Sequence, residues 1–274
     1  HHLRQFARAA APAIYKLIRT GLSDFTKEDW YHLIIHIALQ TVRGHRWRED
    51  FNAAATHQMR LHLGQTVTDE QIRAWLRESD RPITDEEVSA FRVELLGPKG
   101  PRLVAPEAVM VQESLKLALS GLGERLADGM HWTLIRSDEA PVLTSDEPVC
   151  WWSPGDGPVG YATANVVWFP LSPRLILQLR DRDLDQRALG LPTIDTAAGR
   201  DDLIRLINGQ VGGQAHRWII HHPDDRPLDR LQLAPRTKWG DQLVSSTHEG
   251  STRRELWYHR RLPELDDGDS TSRK

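Results

Sequence analysis

The character of the sequence changes at residues 130–152, which read MHWTLIRSDEAPVLTSDEPVCWW. This stretch holds three short apolar runs rich in β-branched and aromatic residues, and turn-forming residues separate the runs. Two more such runs follow at Val166–Phe169 and Leu175–Leu179, and a last one lies at Trp218–Ile220. The pattern predicts an antiparallel sheet over residues 130–222.

Helical periodicity dominates before that stretch. Apolar residues recur at helical spacing from Leu3 to Ile18, and a second helix that begins near Thr26 is predicted to run to Gly64. Three more helices are expected before residue 128, each with its own start signal. One of these signals is Thr68 with Gln71 three residues later, which is typical of a capping box.

The order of these elements predicts the fold class. Helices fill residues 1–128 and strands follow, with one late helix expected at Arg200–Gln214. Because helices and strands are segregated rather than alternating, we predict an α+β fold. In this fold an N-terminal helical layer packs on a C-terminal antiparallel sheet.

The domain organisation predicted from these patterns is one α+β domain over residues 1–263. Within it, residues 223–263 form a charged C-terminal extension with an edge strand expected around Glu255–His259. Residues 264–274 are rich in Asp, Gly and Ser and are predicted to be a disordered tail.

Composition limits the function classes without choosing one. The 274 residues carry 35 basic and 38 acidic side chains, so the net charge of −3 argues against a strongly basic nucleic-acid clamp. No apolar run approaches the roughly 20 residues of a membrane span. The single cysteine, Cys150, excludes an internal disulfide and a Cys-based zinc finger, and it is expected to be a buried small hydrophobe. We therefore expect a soluble, cytoplasmic protein.

A polar stripe marks the second predicted helix. His32 and His36 are four residues apart, and Gln40, Arg43 and Trp47 fall within roughly a quarter turn of His36. Such a stripe can line a cleft, or it can be a solvated helix face beside the core. Because no acidic residue completes a ligand set there, no metal is predicted, and no nucleotide or cofactor motif identifies a cofactor.

A basic cluster overlaps this stripe at residues 43–48, with Trp47 inside it. Such clusters can hold phosphates and stack bases. Glu49 and Asp50 follow at once and reduce the local charge, so nucleic acid is a possible partner that the sequence does not favour.

Ser145 and Asp146 lie between two predicted strands. A carboxylate beside a hydroxyl at a strand end suits catalysis, but the same pair suits a turn closed by side-chain hydrogen bonds.

Tryptophan also leaves two interpretations open. It makes up 10 of the 19 aromatic residues, and these pack in the core or line an apolar pocket for a ring-bearing ligand.

Four of these features occur together in one known family. TSDEPV at residues 144–149 fits a TSD-x-PV turn, FPLSP follows at 169–173, LQTVR stands upstream at 39–43, and Asn208 lies on the late helix. The sequence thus resembles the bacterial domain-of-unknown-function family 4238. The resemblance points to the positions Gln40, Arg43, Ser145, Asp146, Pro173 and Asn208. The family's His-containing HYVPQ-like segment has no counterpart in HHLRQ at residues 1–5, so we expect that segment to be missing.

Two hypotheses follow for function. In the first, the protein is a ligand- or partner-binding module with a polar cleft between helices and sheet, and Arg43 pairs with Asp146 in a structural ion pair. In the second, it is a hydrolase or nuclease-like enzyme, such as a toxin or phage-defence effector. Its catalytic residues would be Arg43, Ser145 and Asp146, and its substrate-binding residues would be Gln40, Asn208, His36 and Trp47. A small anionic ligand suits both, because a guanidinium binds phosphate or carboxylate in a fork.

Overall fold

The structure is a computed structural model that describes residues 2–97, 100–155, 159–225, 237–249 and 252–263. It divides into two compact units. The first combines His1–Trp47 with Val111–Thr237, and the second combines Arg48–Met110 with Lys238–Lys274. The single domain over 1–263 stays a prediction, and the tail at 264–274 lies outside the described residues.

Helices fill most of the first half and an antiparallel sheet follows, which confirms the α+β class. The helices are α1 (His2–Thr20), α2 (Lys27–Val42), α3 (His45–Thr66), α4 (Asp69–Glu78), α5 (Asp85–Leu96), α6 (Glu107–Leu119), α7 (Gly121–Asp128) and α8 (Ala197–Gln214). The strands are β1 (Met130–Arg136), β2 (Thr144–Ser145), β3 (Cys150–Trp152), β4 (Val166–Ser172), β5 (Leu175–Asp181), β6 (Ile219–Ile220), β7 (Thr237–Glu249) and β8 (Thr252–Pro263). In the described part of the chain, no helix is both long and apolar enough to cross a membrane.

The first unit is built on a four-stranded antiparallel sheet in the order β1-β5-β4-β3. Alternate residues of each strand point to opposite faces. Val167 and Phe169 pack in a core with α1, α2, α6 and α7, whereas Val166 and Trp168 pack in a second core with α8. Helices α1, α2, α6 and α7 therefore cover one face of this sheet, and α8 covers the other.

The long helix predicted from Thr26 to Gly64 is wrong, because the chain breaks at Gly44. Helix α2 ends at Val42 and α3 begins at His45. Gly44 lies against the side chain of Glu147, so close that a Cβ added to it would stand 3.2 Å from the carboxylate carbon. A contact with a residue so distant in sequence leaves no trace in helical periodicity. Trp47 therefore lies on α3 and does not continue the stripe of α2.

Helix α8 holds the segment that links β1 to β2. Asp201 accepts hydrogen bonds from the Ser137 hydroxyl at 3.0 Å and from the Ala140 amide at 3.2 Å. Strand β2 is shorter than the run predicted there. It pairs with β6 instead of joining the main sheet, with Thr144 opposite Ile220.

The second unit contains a small core between α4 and α5, made by Ile72, Leu76 and Val88. The predicted capping box is present: the Thr68 side chain accepts from the Gln71 amide, and the Gln71 side chain accepts from the Thr68 amide. The C-terminal extension holds more strand than predicted. In place of one edge strand near Glu255–His259, β7 and β8 pair in a sheet of their own.

Candidate functional site

Helix α2 brings together three of the predicted site residues. His36, Gln40 and Arg43 follow one another at spacings of four and three, so they share a face of the helix. His36 Nε2 lies 3.3 Å from Gln40 Nε2, and the His36 ring meets Phe169 of β4 edge-on with centroids 5.9 Å apart. Burial, and then the positive charge of Arg43, lower the pKa of His36 below its ordinary 6.5. The imidazole is therefore neutral at pH 7 and accepts the Gln40 amide hydrogen.

One polar atom of the Gln40 side chain has no hydrogen-bond partner in the described part of the chain. Its Oε1 is buried and has no hydrogen-bond partner among the described residues. A buried polar atom without a partner costs about 1–3 kcal/mol, so Gln40 keeps an acceptor to offer.

Arg43 forms the C-terminal cap of α2. Its backbone amide donates to the Leu39 carbonyl at 3.1 Å, while its side chain is exposed. In the part of the chain that the structure describes, its guanidinium makes neither a hydrogen bond nor an ion pair. Partial burial lowers the pKa of Arg43 without discharging it. The C-terminal end of a helix also favours a cation, so Arg43 stays positive and available.

The TSDEPV stretch forms a closed turn. The Ser145 hydroxyl is buried, donates to the Glu147 carbonyl at 2.9 Å and accepts from the Glu147 amide at 3.2 Å. Of the two interpretations that the sequence left open, the geometry matches the turn. A catalytic role for Ser145 stays a prediction.

Asp146 ties this turn to the segment after α8. Its Oδ1 accepts from the His216 amide at 3.1 Å, and its Oδ2 accepts from the Arg217 amide at 2.8 Å. Both carboxylate oxygens are thus engaged by backbone N–H groups. The predicted ion pair between Arg43 and Asp146 is wrong: it is not among the ion pairs of the described residues.

LQTVR and TSDEPV nevertheless meet, through Glu147 and the residues that follow Arg43. Glu147 is buried, and its Oε1 accepts from the Arg46 amide at 2.8 Å beside Gly44. The ring of His45 stacks on that of His216 with centroids 3.9 Å apart. We call this region the α2–α3 corner; it comprises residues 40–46 together with Asp146, Glu147 and His216.

Glu147 is the residue that the sequence analysis missed. Helix α3 has no acidic residue in its first turn, although the positive end of a helix favours a negative charge. The carboxylate that fills this position comes from 101 residues away. Because the sequence predicted one unbroken helix through this point, no local signal identified Glu147.

Three other predicted positions lie outside the corner, and the substrate-binding roles of Asn208 and Trp47 stay predictions. Asn208 is buried on α8, where its Oδ1 accepts from the Leu143 amide at 2.9 Å and its Nδ2 donates to the Pro141 carbonyl at 2.7 Å. Helix α8 covers the opposite face of the sheet from α2, so Asn208 does not join the corner. The indole of Trp47 donates to the Ser114 hydroxyl at 2.7 Å, and the Pro173 carbonyl accepts from Val142.

The single cysteine of this unit is not a nucleophile. Burial raises the pKa of the Cys150 thiol to about 12, which matches the buried hydrophobe expected from the sequence. Among the described residues, no group of three or more His, Cys, Asp or Glu side chains is placed to hold a metal ion. The available polar group at the α2–α3 corner is therefore a cation, Arg43, next to an unfilled acceptor, Gln40.

A family model described as a protein of unknown function, DUF4238, matches residues 1–225 of the chain. The chain belongs to the DUF4238 family. The match includes LQTVR, TSDEPV and FPLSP, on which the resemblance rested. No curated protein and no solved structure matches the chain. Membership in DUF4238 assigns no reaction, so the function has to be argued from the site itself.

Proposed function

We propose that the protein is a ligand-binding module whose α2–α3 corner binds a small anion through Arg43. The observation that carries this proposal is the exposed Arg43 guanidinium without a partner among the described residues, beside two carboxylates that backbone amides already occupy. A guanidinium stays charged and binds phosphate or carboxylate through two parallel hydrogen bonds. The corner thus offers a positive charge that Asp146 and Glu147 do not neutralise by direct contact.

Gln40 narrows the choice of anion. Its unfilled Oε1 can accept a hydrogen bond, so a ligand that carries both a negative charge and an O–H group suits the pair best. Hydrogen phosphate has such a hydroxyl and sulfate does not. After a turn of the Gln40 side chain, hydrogen phosphate would accept from Arg43 and donate to Gln40.

Isothermal titration calorimetry with inorganic phosphate near pH 7 and at low salt tests this proposal. We expect Arg43→Gln to weaken binding roughly tenfold or more, since a charge-assisted hydrogen bond contributes about 1.5–3 kcal/mol. The matched control is Arg77→Gln, which removes an exposed arginine from the last turn of α4. Equal phosphate affinity in the wild type and Arg43→Gln, or no binding by the wild type, would contradict the proposal.

Sulfate tests the part assigned to Gln40. It should bind more weakly than phosphate to the wild-type protein, and Gln40→Met should remove most of that difference. If Gln40→Met leaves the preference for phosphate unchanged, the anion is held by Arg43 without help from Gln40.

A hydrolase or nuclease-like activity, in a toxin or phage-defence effector, is the less supported alternative. It needs Asp146 as a general base, and both oxygens of this carboxylate accept from backbone amides instead. A bacterial, cytoplasmic setting belongs to the same proposal, because a lone cysteine such as Cys150 suits a reducing compartment.

A further inference from the structure

We propose that a second site in the first unit binds a planar ring that carries a negative charge, with a nucleoside monophosphate as its simplest representative. The site is a pocket of about 530 Å³ where β1 begins and β5 ends. A neighbouring pocket of about 330 Å³ shares Trp30 and Ala127 with it. Small-molecule sites have volumes of about 300–1,000 Å³, so the space suits a ligand of this size.

Aromatic side chains form one wall of this pocket, and the fold holds them in place. The Trp132 indole N–H donates to the Leu126 carbonyl at 3.0 Å. The Trp30 ring meets Trp132 edge-on at 4.4 Å between centroids, and Phe25 meets Trp30 in the same way at 5.2 Å. Because Trp30 and Trp132 are only half-buried, ring surface remains for a ligand to contact.

The other wall of the pocket is lined by Arg180, Arg182 and His131. His131 and Arg180 stand directly opposite each other in the β1–β5 register, and Arg182 Nε donates to the Met130 carbonyl at 3.4 Å. A guanidinium binds phosphate or carboxylate through two parallel hydrogen bonds, so Arg180 and Arg182 favour an anion at this wall.

Acidic groups do not neutralise this wall. None of the described residues that line the two pockets is acidic. Two nearby carboxylates have cations of their own: Asp29 pairs with Lys16 at 2.7 Å, and Asp181 lies 4.0 Å from Arg125. An aromatic wall beside a positive wall selects a ligand that combines a ring with a negative charge.

The proposal is independent of the α2–α3 corner, because neither Arg43 nor Gln40 lines these pockets. Its test therefore uses the Arg43→Gln background, in which the phosphate of a nucleotide cannot report on the corner. Adenosine 5′-monophosphate, adenosine and inorganic phosphate are titrated separately by calorimetry, with quenching of tryptophan fluorescence as a second signal.

We expect the monophosphate to bind at least tenfold more tightly than adenosine or phosphate alone. The double change Arg180→Gln/Arg182→Gln should reduce its affinity to that of adenosine and leave adenosine itself unchanged. The control Arg136→Gln, an exposed arginine at the far end of β1, should leave both affinities unchanged.

Trp30→Leu tests the contacts of the ligand ring separately from those of its charge. It should weaken the binding of the monophosphate and the binding of adenosine by the same factor. Circular dichroism confirms that each variant is folded. The proposal is overturned if the nucleotide binds no more tightly than adenosine, or if the double variant keeps the affinity of its parent.

Discussion

Glu147 and Asp146 are neighbours in sequence, yet each serves a different backbone segment. Glu147 accepts from the amide of Arg46 at the start of α3, and Asp146 accepts from the amides of His216 and Arg217 after α8. At the scale of single residues, the acidic pair of TSDEPV is thus an anchor for two segments that are distant in sequence. This leaves Arg43 as the charged group of the corner that is open to a ligand.

At the same scale, the lowered pKa of His36 predicts how the stability of the protein depends on pH. Its pKa in the folded protein lies below its value in the unfolded chain, because burial and the charge of Arg43 disfavour the protonated ring. The unfolded chain therefore binds more protons near pH 6. The contribution of His36 to stability is present above the unfolded pKa of 6.5 and is lost as the pH falls toward the folded pKa.

We expect the wild type to lose more free energy of unfolding between about pH 7.5 and about pH 5.5 than the His36→Gln variant does. Urea unfolding at a series of pH values measures this difference. The control His62→Gln replaces an exposed histidine on α3. If His36→Gln and His62→Gln show the same pH dependence, the titration of His36 does not contribute as described.

At the scale of an element, we expect the start of α3 to depend on the contact between Gly44 and Glu147. A Cβ at position 44 would stand 3.2 Å from Oε1 and from the carboxylate carbon of Glu147, so one of the two must shift. Shifting Glu147 would weaken its hydrogen bond to the Arg46 amide. The corner therefore requires both a small residue at 44 and an acid at 147.

We expect Gly44→Ala to destabilise the protein by about 1 kcal/mol or more, as overpacking does. In a Glu147→Ala background the same change should be neutral or stabilise by about 0.4–1 kcal/mol, because alanine reduces the freedom of the unfolded chain. Thermal or urea unfolding of the four proteins gives the coupling energy.

Gly209→Ala is the matched control for this cycle. Gly209 lies inside α8 with nothing within 4 Å of an added Cβ, so alanine should stabilise there by about 0.5–1 kcal/mol. A coupling energy near zero between positions 44 and 147 would show that the close approach of Gly44 to Glu147 does not set the start of α3.

How far the elements could be predicted depends on whether their signals are local. The caps at Thr26 and Thr68 act over three residues, and the structure contains both. The contact of Gly44 with Glu147 could not be predicted, because Glu147 lies 103 positions further along the chain. The pairing of β2 with β6 was missed for the same reason, since Asn208 and Asp146 fix it from outside the strand.

At the scale of the whole molecule, the sheet of the first unit lies between two helical layers. The run Val166–Phe169 is buried throughout, without the polar alternation of a strand that has one wet face. That unbroken apolar run is the sequence signal of a sheet covered on both sides. This apolar run could have predicted that α8 covers the second face of the sheet. The sequence analysis placed helices on one face only.

The candidate site, like the fold, could be predicted only in part. Helical spacing was enough to bring His36, Gln40 and Arg43 together, because the first two lie on α2 and Arg43 is its C-cap. The partners of Asp146 and Asn208 are backbone atoms 65 to 71 residues away. A pattern of side chains in the sequence does not predict a backbone partner. The positions of Asp146 and Asn208 could therefore be established only from the folded structure.

The central claim, that Arg43 binds an anion, is tested most directly by crystallography with arsenate. Hydrogen arsenate has the charge and hydroxyl of hydrogen phosphate, and arsenic scatters anomalously. We predict an arsenic peak at the α2–α3 corner with two oxygens in hydrogen-bond range of the Arg43 guanidinium, and its loss in crystals of Arg43→Gln. Arsenate bound only elsewhere on the molecule, or an unchanged peak in Arg43→Gln, would contradict the claim.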